Sequence, residues 1–230
     1  MTTLSTVPEP ASRSPKGEQT RQAIVAAALD LFRERGYDRT TMRGVAEAAG
    51  VSLGNAYYYF SSKEHLVQAF YDRVQEEHRA AAEDVLARET TFAGRLQGLL
   101  DAWVRIAQPY HEFAGKFFKN AAEPTSPLSP FSEDSRPARD ASTALFREVL
   151  DGSDLKLAPA LRAEMPELLW LMHMGVVLFW VYDGSPDQRR TRALVAQAVP
   201  LVDKLARMTR LPLVRGVVDD VVGLVRAVRP

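Results

Sequence analysis

The sequence predicts an all-α fold, and three features of it say so. Apolar residues recur three and four positions apart along most of the chain, and no run alternates apolar with polar residues as a half-buried strand does. Glycines, prolines and capping residues fall where helices of ordinary length begin and end. Near the amino end, residues 41–66 (TMRGVAEAAGVSLGNAYYYFSSKEHL) read as a short helix, a tight turn, a second short helix and the start of a third.

The elements follow in order. Residues 1–17 hold Pro8, Pro10 and Pro15 and lack an apolar run, so they read as a flexible arm and not as a secretion signal. The spacing of Ile24, Ala27, Ala28, Leu31 and Phe32 predicts a helix over 18–35, ended by Gly36. A second helix starts near residue 41, capped by Thr40 or Thr41, with Met42, Val45, Ala46 and Ala49 on its buried face. Gly50 stands where the chain needs a left-handed backbone. Val51 can plug the angle between helices. Ser52 can accept from the free N–H groups of a third helix over 52–59, which Phe60 closes. Ser61 and Glu64 have capping-box spacing for a fourth helix, which Leu66, Phe70, Val74 and Leu86 carry to about residue 88.

A second region follows. Residues 92–107 predict a helix with Leu96, Leu99, Leu100 and Trp103 inward, and Pro109 suits the first turn of the next, which carries Phe113, Phe117 and Phe118. Residues 123–137 are rich in Pro and Ser and predict a loop; helix resumes over 139–150. Pro159 and Pro166 are expected to open a short helix and then a separate one over 168–182. That last stretch, LLWLMHMGVVLFWVY, is 15 residues long, short for a membrane span and long for a strand. A helix apolar all round belongs between other helices or chains. Asp183-Gly184 stops it, and Ser185-Pro186-Asp187-Gln188 predicts a new N-terminus with Ser as cap and Gln three residues on. The helix that follows runs to about residue 208 with a kink at Pro200, and a last helix starts near residue 213.

Composition narrows the chemistry. At 230 residues, 46% hydrophobic and 25% charged, the chain suits one or two soluble domains with a sizeable core. Its 29 basic and 29 acidic side chains cancel, so any nucleic-acid contact must come from a local surface. Residues 1–63 carry eight Lys or Arg against six Asp or Glu, too small an excess to decide anything without placement. With no cysteine there is no disulfide, thiolate zinc site or cysteine nucleophile, which fits a cytoplasmic protein. The four histidines (65, 78, 111 and 173) lack metal-ligand spacing, and no motif of an enzyme's nucleophile, metal or phosphate site is present. Neither a metal nor another cofactor is expected.

The third helix carries the functional signal. Leu53, Gly54, Asn55, Tyr57, Tyr58 and Tyr59 are hard to account for as core. Neighbours on a helix point about 100° apart, so three adjacent tyrosines cannot all face inward. A short helix with outward tyrosines, an Asn and a Gly suits a DNA major groove.

At these residues the chain resembles the tetracycline-repressor-like (TetR) family of bacterial regulators. The resemblance rests on Phe32 to Tyr37 (aromatic-x-x-x-Gly-aromatic), on the Thr-Thr-Met run to Val-Ser over 40–52, and on Gly-x-x-Tyr-Tyr-x-Phe-x-x-Lys over 54–63. It implies an arm over 1–17, a helix-turn-helix DNA-binding domain over 18–64, and a helical ligand-binding and dimerisation domain over 65–230. It implies that Thr41 and Arg43 reach phosphate or base, that Leu53, Gly54 and Asn55 form the base-facing start of the recognition helix, that Tyr57 meets a base or thymine methyl, that Tyr58, Tyr59 and Lys63 contact phosphate, and that Ser52 belongs to the same DNA-binding set. Leu53, Ala56 and Ser61 depart from the residues usual in the family, which makes reading at 53 apolar and the salt dependence gentle. The many rings of the second region could be core or could line an effector cavity. Trp103, Tyr110, Phe113, Phe117 and Trp170 are the candidates, with His173 as the polar group. Met172, Gly175, Val176 and Phe179, with Leu194 and Leu201, are the expected dimer interface. The function implied is a cytoplasmic, homodimeric, DNA-binding transcriptional regulator, a repressor released from a palindromic operator by a small, mostly apolar effector. The alternative is a helical ligand-binding protein that has lost specific DNA binding.

Overall fold

A computed structural model of the chain describes residues 14–123 and 125–228, and no strand occurs among them. Residues 1–13 of the expected arm lie outside the described residues. Its remainder is helical: Ser14 caps α1 (Pro15–Arg35) by accepting from the N–H of Gly17 at 3.0 Å. The helix thus starts three residues before the predicted position, because a proline at the first position has no N–H to leave unpaired. Ten α-helices are formed by the described residues. After α1 come α2 (Met42–Ala48), α3 (Leu53–Tyr59), α4 (Lys63–Arg88), α5 (Phe92–Ala107) and α6 (His111–Ala121). Then follow α7 (Arg136–Asp151), α8 (Pro159–Tyr182), α9 (Arg189–Met208) and α10 (Arg215–Val228). Compactness divides the chain into residues 1–70 and 71–230, and α4 is one continuous helix across that division.

In the N-terminal unit, α1 packs on α2 and α2 on α3. The core is Ile24, Val25, Ala28 and Phe32 of α1, Val45 and Ala46 of α2, Ala56 of α3, Phe60, and Leu66 and Val67 of α4. Gly50 takes φ 68°, and the N–H of Val51 donates back to the carbonyl of Ala46, which turns the chain from α2 into α3.

In the C-terminal unit, α8 is the central element, packed against α6, α7, α9 and α10, while α5 packs on α7 and α9. The core is built from Phe92, Leu96 and Leu99 of α5, Leu145, Phe146 and Val149 of α7, Leu161, Leu169 and Trp170 of α8, and Val195 and Val199 of α9. α8 is a single 24-residue helix, and Pro166 lies inside it instead of opening a second one. A proline there removes one backbone hydrogen bond and crowds the preceding turn. Burial of Leu161, Met165, Pro166 and Leu169 on the surrounding helices outweighs that local cost. At this length α8 is apolar and long enough to cross a membrane, yet it is packed among four helices of the unit.

Two helix starts differ from expectation. α4 begins at Lys63, one residue too late for Ser61 to cap it with Glu64. Ser61 Oγ instead lies 3.0 Å from His65 Nδ1, and Glu64 Oε1 accepts the Tyr37 hydroxyl at 2.7 Å. Ser185-Pro186-Asp187-Gln188 does not form a capping box, because Asp187 and Gln188 adopt φ of 52° and 50°. The buried Asp183 takes over. Its Oδ1 accepts from the N–H and hydroxyl of Ser185, and its Oδ2 from the N–H and hydroxyl of Thr191. Burial alone would raise the Asp183 carboxyl, but these four donors hold it well below the usual carboxylate range. Residues 125–135 run as successive turns, in which the N–H groups of Ser126, Ser129, Ser132 and Arg136 each donate three residues back. Helix resumes at Arg136 with Pro137 in its first turn, three residues before the expected start.

Candidate functional site

The local chemistry of residues 41–63 fixes the first site. Thr41 caps α2 by accepting from the N–H of Gly44 at 3.1 Å, and Ser52 caps α3 by accepting from the N–H of Asn55 at 3.1 Å. α3 is anchored by Ala56 and by Phe60, over whose ring the Arg21 guanidinium lies at 5.5 Å; Leu53, at the matching spacing, is half-buried. The opposite side of α3 presents Gly54, Asn55, Tyr57 and Tyr58 to solvent, with Tyr57 49% and Tyr58 59% exposed. Tyr59 is half-buried, its ring edge-on to Tyr58 at 5.2 Å. Thr41, Arg43 and Ser52 are exposed on the turns and helix beside this surface.

Lys63 is placed by a residue that sequence reasoning noted only as part of a motif. Its ammonium donates to the Tyr37 carbonyl at 3.0 Å and sits 4.4 Å above the Tyr37 ring. Glu64 accepts from the Tyr37 hydroxyl. Burial pushes the Glu64 carboxyl up, and hydrogen bonds from Ser62 and Tyr37 together with the charge of Lys63 bring it below its ordinary value. The Gly36-Tyr37 pair therefore positions the start of α4, with Gly36 at φ 81° allowing the chain to reverse.

Gly54 is informative because nothing in the fold requires it. A Cβ at that position would meet no atom within 4 Å. Gly54 is the second residue of α3, and glycine is a weaker helix former than alanine. Gly54→Ala is accordingly expected to raise the midpoint of thermal unfolding slightly while weakening operator binding by about tenfold or more, as a methyl blocks close approach to base edges. Equal operator affinity in a gel-shift titration would show that nothing approaches closely there.

The second site lies in the C-terminal unit. His173, 3% exposed, stands edge-on to Trp103 (4.9 Å) and Phe146 (5.7 Å) and 6.2 Å from His78; Trp103 continues to Trp180 at 5.3 Å. His78 Nδ1, both nitrogens of His173 and Trp180 Nε1 are buried without a hydrogen-bond partner among the described residues. An unpaired buried polar group costs about 1–3 kcal/mol, so each of these four nitrogens calls for a partner other than the described side chains. Among the other predicted ligand residues, Phe113 and Phe117 are buried and stacked at 5.3 Å. Tyr110 accepts from Arg73 Nη2 at 2.5 Å, and Trp170 meets Phe131 and the Arg139 guanidinium. His78, Phe146 and Trp180 are the members of the cluster that the sequence reading did not select.

α8 and α9 each leave an apolar stripe uncovered. On α8 it is Leu171, Gly175, Leu178, Phe179 and Tyr182; on α9 it is Leu194, Leu201, Leu205 and Met208. Two of the expected seam residues lie off this stripe. Val176 is only 4% exposed and belongs to the protomer core, and Met172 packs against that core. The stripe is rotated by about one position, since residues 171, 175, 178 and 182 share a face that 172 and 176 do not.

An outward-facing short helix on a helix-turn-helix unit, followed by an all-helical unit, is the arrangement of a DNA-binding regulator. The comparisons agree. Residues 24–70 match the family model described as bacterial regulatory proteins, tetR family, and residues 95–224 match the tetracyclin repressor-like C-terminal domain. A probable HTH-type transcriptional regulator, ArpR of Pseudomonas putida, is 30% identical over 171 residues, covering 74% of this chain and 79% of that protein. The HTH-type transcriptional regulator TtgR, also of Pseudomonas putida, is 29% identical over the same length and shares. A TetR transcriptional regulator from Nitrosomonas europaea has a TM-score of 0.63 at 18% identity, covering 79% of this chain and 96% of the other. One from Streptomyces coelicolor has a TM-score of 0.58 at 21% identity, covering 93% and 90%. The chain belongs to the TetR family of transcriptional regulators, a family of DNA-binding proteins and not of enzymes.

Proposed function

We propose that this protein is a cytoplasmic, homodimeric transcriptional repressor that occupies a palindromic operator and leaves it when a small, mostly apolar effector binds the C-terminal domain. The observation that carries this reading is the outward row Gly54, Asn55, Tyr57 and Tyr58 on α3, exposed to solvent. We read residues 18–64 as the DNA-binding domain and 65–230 as the effector and dimerisation domain. Asn55 and Tyr57 face bases, and Leu53 and Gly54 allow a thymine methyl and the groove floor to come close. Thr41, Arg43, Ser52, Tyr58 and Tyr59 hold phosphates. Lys63 joins them, since an ammonium has three donors and Tyr37 takes only one.

Pairing of the α8 and α9 stripes brings two copies of α3 to successive major grooves, roughly 34 Å apart. An effector acts by its unequal affinity for the dimer shapes that fit and do not fit this spacing. The continuous α4 carries the change between the two domains.

The test is a salt-titrated binding assay on the DNA upstream of the gene. The wild type should bind one site with a modest salt slope, and Tyr57→Ala should lose that site while remaining dimeric by light scattering. Unchanged footprints with the variant would remove Tyr57 from base reading. Absence of any specific site for the wild type would favour the second reading, a ligand-binding protein without an operator. Half-burial of Leu53 and the serine at position 61 are the observations that support it.

A further inference from the structure

The polar atoms of the His78–His173 cluster define what could satisfy them. His78 Nε2 lies 2.9 Å from the carbonyl oxygen of Leu99, and an oxygen acceptor requires the proton on that nitrogen. Nδ1 of His78 therefore carries a lone pair and only accepts. The Trp180 indole N–H only donates. Burial holds both imidazoles below the ordinary histidine value, His173 at about 3 with His78 adding to the effect, so each ring is neutral. Neutral His173 then offers one donor and one acceptor. None of these four nitrogens has a charged group within hydrogen-bond reach among the described residues.

We infer that this cluster is the polar anchor of the effector site, and that the effector is an uncharged hydrophobe bearing a hydroxyl, an alcohol or a phenol. The inference rests on the proposed reading that the C-terminal domain takes an effector. A hydroxyl donates and accepts at once, so it matches the accepting Nδ1 of His78 and the donor or acceptor of His173, whose rings lie 6.2 Å apart. An ether or ketone only accepts and leaves His78 Nδ1 unpaired. A carboxylate or phosphate would bring negative charge against that lone pair with no cation to meet it, and an ammonium would lack a carboxylate. The rings of Trp103, Phe146 and Trp180 suit a flat apolar body beside the hydroxyl.

The experiment titrates the full-length protein with 4-phenylphenol, 4-methoxybiphenyl and biphenyl-4-carboxylate, followed by calorimetry and tryptophan emission. The phenol should bind at least about tenfold more tightly than its methyl ether, and the carboxylate more weakly than either. In His173→Phe the phenol and ether should come to within about threefold of each other, while the ether still binds. If that variant does not fold, the wild-type series decides alone. Equal binding of phenol and ether by the wild type overturns the hydroxyl anchor and leaves an apolar effector site standing. Preference for the carboxylate overturns it in favour of an anion. No binding by any of the three overturns the anchor and the effector reading together.

Discussion

Phe179→Glu combined with Leu201→Glu is expected to turn the dimer into a monomer and to lower operator affinity by about 10²–10⁴, the gain that linking two half-site readers provides. Both side chains are exposed on the protomer, Phe179 on α8 and Leu201 on α9, so neither supports the protomer core. Two carboxylates on each copy would meet their symmetry mates or apolar neighbours across a two-fold seam, where they would be buried without partners. Light scattering should give one 25.6 kDa chain for the variant and twice that for the wild type. The protomer's own thermal unfolding should hold, because the substitutions remove exposed apolar surface. Val176→Glu is the opposite case. It buries a charge within the protomer core and should unfold the chain whatever the oligomeric state. A double variant that stays dimeric at micromolar concentration would place the seam elsewhere.

The one-position offset between the expected seam residues and the exposed stripe of α8 has a physical origin. Over residues 168–182 α8 is apolar on nearly every side, so that stretch has no polar face from which to phase the buried one. Only the packing of α6, α7, α9 and α10 decides which residues remain outside. The recognition helix was legible for the opposite reason. Its caps, its left-handed Gly50 and its core residues Ala56 and Phe60 act within a few residues of one another, and sequence shows them all. Rules of the same local kind failed at Pro166 and Ser185, where burial and the Asp183 network override them. His173 stood out as the lone polar ring of an apolar helix. His78 did not, because its neighbours Gln75, Glu76, Glu77 and Arg79 make it read as one more solvated side chain. Tyr37 was visible as a motif residue, yet its hold on Lys63 and Glu64 spans 26 and 27 positions and has no local signature.

The same limit hides the residue whose loss should matter most for stability. Arg95 is buried, and its guanidinium ties two helix ends together. Nη1 donates to the carbonyls of Leu86 (2.6 Å) and Glu89 (2.8 Å) at the end of α4, while Nη2 and Nε donate to Glu148 (2.8 Å) and Val149 (3.1 Å) in the last turn of α7. Helix C-termini leave carbonyls unpaired and carry partial negative charge, so one buried cation satisfies both ends. Arg95→Met keeps the apolar stem and removes every donor. It should cost about 3 kcal/mol or more, with a fall in the unfolding midpoint of roughly 6–12 °C for a unit of this size. Arg95→Lys should recover only part, since a point-like ammonium cannot serve two helix ends in opposite directions. Gly152 supports the same contact: its backbone is not left-handed, but a Cβ there would run into the Arg95 guanidinium. Gly152→Ala should therefore destabilise the wild type and add little in the Arg95→Met background, a non-additivity that a calorimetric double-mutant cycle measures. Additive effects, or a loss below about 1 kcal/mol for Arg95→Met, would mean that water serves those carbonyls as well as the guanidinium does.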